Sequence, residues 1–179
     1  SAAEMIQRHG MLVRQDYPQW NLDLTRYDAR LAGLYGGRTP PSEIQQAGKL
    51  HVVRTVTRCQ SYEEIRDLIA VGCGIASCGS EGFDDQRDRN GVSVRKGSWA
   101  HAMAYLGVDD RLETRKLYGE PLILVANSWG EGNRGPRTIR DTALQIPPGC
   151  FWARWSDVSR RTAIAYASIA GWPRQPLPD

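Results

Sequence analysis

His101 and Asn127 are the residues of this chain whose types and spacing suit chemistry. His101 opens the stretch His101-Ala102-Met103-Ala104-Tyr105-Leu106-Gly107, and Asn127 heads Asn127-Ser128-Trp129-Gly130 behind the apolar run from Pro121 to Ala126. Both stretches read as strands, which places the two side chains on neighbouring strands. An imidazole takes the proton of a thiol, and a carboxamide accepts one ring N–H and so aims the other ring nitrogen at the sulfur. Ser128 and Trp129 support the pair: an indole just after Asn127, two positions on, would keep water off that hydrogen bond, where it is stronger. The bland reading of the same residues is an Asn at a turn, a Trp in the core and a His satisfied by the fold. His9 and His51 have no comparable company and read as structural. No convincing nucleophile precedes His101.

The elements that must position this pair follow from periodicity. Ala2 to His9 forms a short helix stopped by Gly10. Met11 to Pro41, rich in Tyr, Pro, Asp and Gly, has no sustained period and is expected to be an ordered surface segment pinned by Tyr17, Trp20, Tyr27 and Tyr35. His51 to Thr57 is a β-branched strand. Ser61-Tyr62-Glu63-Glu64 is a capping box; Ile65, Leu68 and Ile69 give the helix an apolar face, and Gly72 ends it. Gly74 to Cys78 reads as a short buried strand and Glu81 to Lys96 as a charged loop. Ala100 to Val108 and Leu122 to Ala126 are strands joined by a hairpin tip over Asp109 to Glu120. Phe151 to Trp155 and Ile164 to Ile169 complete the set. This order is α+β, with an antiparallel sheet able to curl into a barrel.

The 179 residues suffice for one domain with a real core, and 41% hydrophobic against 24% charged content is that of a soluble globular chain. No apolar run approaches the roughly 20 residues that cross a bilayer, so no membrane span is expected. Ser1-Ala2-Ala3-Glu4 lacks the features of a signal peptide, while a start at Ser1 without Met leaves room for a leader already removed. The compartment is unknown, and both secretion and incorporation into a particle stay open. The net charge of +3 is too weak, and the cations too scattered, to expect a nucleic-acid partner. Those cations are almost all Arg, with Lys only at Lys49, Lys96 and Lys116, which reads as coding bias plus surface salt bridges. Cys59, Cys73, Cys78 and Cys150 lack CxxC spacing, so neither metal nor cofactor is expected. Cys73 and Cys78 lie an odd number of positions apart, point to opposite faces of a strand and are not expected to pair.

Taken in order, these segments resemble the papain-like cysteine peptidases over most of the chain. That family carries its catalytic His in His-Ala-x-x-x-x-Gly at the start of a barrel strand, as at His101 to Gly107. It carries its catalytic Asn in Asn-Ser-Trp-Gly after the next strand, as at Asn127 to Gly130. Gly149-Cys150-Phe151-Trp152-Ala153-Arg154 is similar to the Gly-aromatic strand that follows, and Tyr166-Ala167-Ser168 through Trp172-Pro173 to the closing strand and aromatic-Pro pair. The helix from Ser61 to Ala70 with Gly74 to Cys78 is similar to the element pair before the His loop. The resemblance implies one α+β papain-like domain over 1–179 that lacks the N-terminal nucleophile-helix region. Residues 1–48 would be a remnant of the left lobe and 49–179 the right-hand lobe, an antiparallel barrel-like sheet with a few short helices. It implies His101 as base and then acid, Asn127 as its orienter, and Ala100, directly before His101, at the main side-chain pocket.

The pattern breaks at the nucleophile. The family's Gln…Cys-Gly-Ser-Cys-Trp segment at the head of a long helix has no counterpart here. Cys78-Gly79-Ser80 echoes it, yet Glu81-Gly82-Phe83-Asp84-Asp85-Gln86 is too polar and Gly-broken for a buried central helix. Cys59 and Cys150 look like small core residues. After Gly130 the family's compact turn is replaced by the longer Glu131 to Pro148 segment, so family specificity rules do not transfer. Two functions therefore stand. In one, the chain is the C-terminal part of a cysteine peptidase that hydrolyses peptide bonds with a thiolate from an upstream segment or another chain. In the other, it is an inactive papain-like module with a structural or binding role in a larger assembly such as a virion. Either way the expected partner is an upstream fragment or second protein chain covering the interlobe face, joined by a peptide substrate if the site is active.

Overall fold

The computed structural model describes residues 2–26, 28–36, 38–127 and 146–169. The chain divides into two units, residues 1–56 with 167–179, and residues 57–166. In the first, helix α1 (Ala2–His9) stops at Gly10, whose φ of +71° is the left-handed cap expected of it. Strands β1 (Asp16–Tyr17) and β2 (Leu22–Asp23) pair antiparallel across a turn in which Asn21 takes φ +49°. Helices α2 (Ala29–Gly36) and α3 (Ser42–Gly48) follow. Tyr17, Leu22 and Ile44 form the buried core of this unit, with Leu12, Trp20, Leu24 and Leu31 packed against it.

The segment from Met11 to Pro41 is thus more regular than its sequence suggests. Asp28 accepts from the backbone N–H groups of Arg30 and Leu31 at 2.8 and 3.0 Å, capping α2. Gly33 inside that helix dilutes its propensity and hid it. Tyr17 and Trp20 do pin the segment, their rings stacked with centroids 5.2 Å apart. Tyr27 and the side chain of Tyr35 lie outside the described residues.

Strand β3 (Val53–Cys59) leads into α4 (Tyr62–Ala70), β4 (Gly74–Phe83), β5 (Arg95–Asp109), α5 (Leu112–Tyr118), β6 (Leu122–Ala126), β7 (Cys150–Arg154), α6 (Trp155–Val158) and β8 (Thr162–Ile169). The six long strands form one antiparallel sheet in the order β3-β8-β4-β5-β6-β7, and with the short helices this is the expected α+β architecture. One face carries the main core: Ile65 of α4 meets Ile75, Met103, Tyr105, Ile123, Val125, Phe151 and Ala163. The other face holds a smaller cluster of Val92, Leu122, Ile146, Cys150 and Trp152. Strands β6 and β7 are therefore covered on both sides, which explains why Leu122 to Ala126 is apolar without alternation.

The capping box of α4 is present. Ser61 Oγ accepts from the Glu64 backbone N–H at 3.2 Å, and Glu64 Oε2 accepts from the Gln60 N–H at 2.7 Å. Two expectations fail nearby. Strand β4 runs to Phe83 instead of ending at Cys78, so Glu81 lies within the sheet and not in a loop. The link from Asp109 to Glu120 contains helix α5, preceded by the Arg111 guanidinium forking onto the Asp109 carboxylate at 2.9 and 2.7 Å and ended by Gly119 at φ +77°. Among the described residues no helix is long and apolar enough to cross a membrane. Because Ser61 satisfies one N–H of an otherwise open helix end, Ser61→Ala is expected to lower stability by about 1 kcal/mol. The urea midpoint should fall at unchanged slope.

Candidate active site

The pleat of three adjacent strands brings His101 and Asn127 together. In the β4–β5 ladder, Ile75 opposes Tyr105, Ser77 opposes Met103, and Gly79 opposes His101. His101 therefore shares the face of Met103 and Tyr105. In the β5–β6 ladder Tyr105 opposes Val125, and Asn127, two positions further on, takes the same face just past the end of β6. Its backbone N–H donates to the Gly149 carbonyl at 2.9 Å, holding the end of β6 against the turn into β7. The outcome is a hydrogen bond of 2.9 Å between His101 Nε2 and Asn127 Oδ1, with both residues partly buried. An amide oxygen only accepts, so Nε2 carries the hydrogen and Nδ1 is the basic nitrogen of the neutral ring. Ala100 is exposed. Ser128 and Trp129 lie outside the described residues.

Behind His101 the sheet is held by a group that sequence reading missed. Arg161, taken with the other arginines as a surface cation, is buried, its side chain showing no exposed area. It donates from Nη2 to the His101 carbonyl at 2.7 Å, from Nε to Ser77 Oγ at 2.9 Å and from Nη1 to the Glu81 carbonyl at 3.0 Å. The Glu81 carboxylate stands 3.5 Å from Nη1. The Ser77 hydroxyl in turn donates to the Tyr105 hydroxyl oxygen at 2.7 Å. Desolvation in this core pushes the Tyr105 phenol up to about 12, against a partial lowering by its bond to Ser77. Nothing in the order of residues marks Arg161 out, since Arg160-Arg161 after α6 looks like an exposed pair; the one available signal is its place directly before a core strand.

The four thiols do not line up with the His101 ring. Cys59 and Cys150 are buried and free, and burial pushes both thiols up, away from the thiolate that a nucleophile needs. Cys150 also belongs to the cluster on the opposite sheet face from Tyr105 and Val125. Cys78 is exposed, but it opposes Ala102 and so points away from the face of His101. Cys73 precedes β4 at the end remote from Gly79, roughly 20 Å along the strand. All four cysteines are free. Among the described residues no cluster of His, Cys, Asp and Glu is arranged to hold a metal.

No family model matches the chain, and no curated protein matches it in sequence. Solved structures do. Xylellain, a cysteine protease from Xylella fastidiosa, superposes with a TM-score of 0.54 at 16% identity, over 96% of this chain and 60% of that one. The clostridial cysteine protease Cwp84, in its form after propeptide cleavage, superposes with a TM-score of 0.55 at 17% identity, over 94% of this chain and 39% of that one. The fold is accordingly that of the papain-like cysteine proteases, and the chain spans less than two thirds of the length of either structure.

Two measurements check this geometry. Histidine ¹⁵N spectra of the intact protein should show His101 with its hydrogen on Nε2, and Asn127→Ala should remove that preference; a His101 protonated on Nδ1 would contradict the bond. The Tyr105 phenol is raised from 10.0 to about 12, so the stability it confers is complete below about pH 10 and is lost as pH rises towards 12. Tyr105→Phe should flatten that part of the stability profile relative to the parent protein in urea titrations.

Proposed function

We propose that this chain supplies the general base and its orienter for a papain-like cysteine peptidase. The observation that carries the reading is the 2.9 Å bond between His101 Nε2 and Asn127 Oδ1 on the core face of the sheet. In the proposed reaction Nδ1 of His101 takes the proton of a cysteine thiol. The thiolate adds to the peptide carbonyl, and the imidazolium returns the proton to the leaving amine as the C–N bond breaks. Water, deprotonated by the same ring, then hydrolyses the thioester and frees the thiol. Asn127 holds the ring in the tautomer that each step needs. Ala100, exposed beside His101, adds a small neutral surface to the rim of the substrate pocket.

The nucleophile would come from an upstream segment or another chain, since none of the four thiols here is both exposed and on the face of His101. The same observation favours the second reading, an inactive module kept for binding or structure in an assembly. Reaction of the intact protein, with any natural partner present, with a thiol-directed epoxide separates them. The first reading expects one thiol whose labelling falls by roughly 10²- to 10⁴-fold in His101→Ala and by less in Asn127→Ala. If no thiol reacts in a His101-dependent way, the peptidase reading is wrong and the module remains.

A further inference from the structure

Around His101 the β4–β5 ladder is irregular. Gly79 opposes His101, yet Glu81 already opposes Ser98, so two residues of β4 span three of β5. A bulge of this kind breaks the ladder and frees the strand to bend. At that point the His101 carbonyl is bonded to the Arg161 guanidinium at 2.7 Å. The same guanidinium reaches the Ser77 hydroxyl, the Glu81 carbonyl and, at 3.4 Å, the Ser77 carbonyl, all on β4. Its planar fork therefore ties together both strands where the ladder lapses.

The local sequence is shaped to admit it. A Cβ on Gly79 would lie 2.5 Å from Glu81 Oε2 and 2.8 Å from Arg161 Cγ, so a side chain there displaces the ion pair. Glu81 supplies the counter-charge that a cation with no exposed side-chain area requires. Ser77, itself fully buried, accepts from Arg161 Nε and donates its own hydrogen to the Tyr105 hydroxyl oxygen.

We infer that Arg161 is a positioning residue for the active site: by gripping the His101 carbonyl across the bulge, it fixes where the imidazole stands relative to Asn127 and to an incoming thiol. Arg161 touches no reacting atom and acts only through His101. The inference rests on the peptidase reading for its consequence in rate, but not for its consequence in geometry. A lysine cannot replace the fork, because a single ammonium lacks the planar spread that serves Ser77, Glu81 and His101 together.

The test compares parent protein and Arg161→Lys, both intact, by two readouts. One is the His101 Nε2–H resonance in histidine ¹⁵N spectra; the other is the His101-dependent rate of thiol labelling by the epoxide. In Arg161→Lys the resonance should broaden or vanish through faster solvent exchange, and labelling should slow by roughly 10- to 100-fold, the scale of a misplacement of about 1 Å. In an Asn127→Ala background the same substitution should slow labelling much less, because the ring is already unheld. A resonance and labelling rate unchanged from the parent would overturn the inference. If Arg161→Lys does not fold, Gly79→Ala takes its place, since it keeps every charge and presses on the Glu81–Arg161 pair that grips the His101 carbonyl; the same two outcomes decide. Should the parent show the resonance but no His101-dependent labelling, the peptidase reading fails while the resonance alone still decides the role of Arg161.

Discussion

Two-residue alternation along β4, β5 and β6 determines which groups can meet. Tyr105, Met103, Val125 and Ile123 are buried on one face of the sheet, each less than a tenth exposed. Sliding β5 by one residue would turn Met103 and Tyr105 outward, at a cost of roughly 1.5–3 kcal/mol for each side chain. The register is therefore held by apolar burial, and the polar pair at the strand ends inherits it. His101 continues the row of Tyr105 and Met103, and Asn127 continues the row of Val125. Their meeting at 2.9 Å is a consequence of core packing several residues away.

Packing alone loses its grip at the site, because the apolar row ends at Met103 and the ladder bulges just beyond it. The guanidinium of Arg161 takes over there. A buried cation is normally a liability, since desolvation costs several kcal/mol per ion and is offset only by close, well-aligned partners. Arg161 has Glu81 as counter-ion and oxygens of Ser77, Glu81 and His101 as acceptors. Such an arrangement contributes little to net stability against an apolar substitute. Its effect is directional: it admits one backbone path through the bulge. The Tyr105 hydroxyl, accepting from Ser77 within the apolar core, couples this polar cluster to the burial that sets the register.

How much of this was legible depended on whether the signal was local. The capping box at Ser61, the uninterrupted apolar run of β6 and the pairing of His101 with Asn127 could be read because each rests on a short pattern with one physical meaning. The extension of β4 to Phe83 could not. Gly79, Glu81 and Gly82 resemble a loop one by one, and only the arrival of Arg161, 80 positions away from Glu81, explains why they suit a strand. Helix α5 was hidden because Arg111 stands at its N-cap and makes no side-chain capping bond, so no standard N-cap residue marks its start. Arg161 itself was misread because charge along a sequence suggests surface, whereas burial is decided by partners that sequence order does not bring together.

The tautomer imposed by Asn127 constrains what this site can work with. With Nε2 committed to an amide oxygen, a sulfur that uses the base must approach Nδ1, on the ring edge turned away from Asn127. Cys78 fails on direction, Cys73 on distance, and Cys59 and Cys150 on burial, which both hides their sulfur and favours the thiol over the thiolate. No rotamer change repairs any of these, because strand parity sets the first, chain length the second and core packing the others. His101 and Asn127 are thus brought together by one sheet without the help of any of these thiols. A sheet of this kind can be completed from outside without altering its own register, and equally can persist uncompleted, because the 2.9 Å bond that holds His101 against Asn127 does not involve a sulfur.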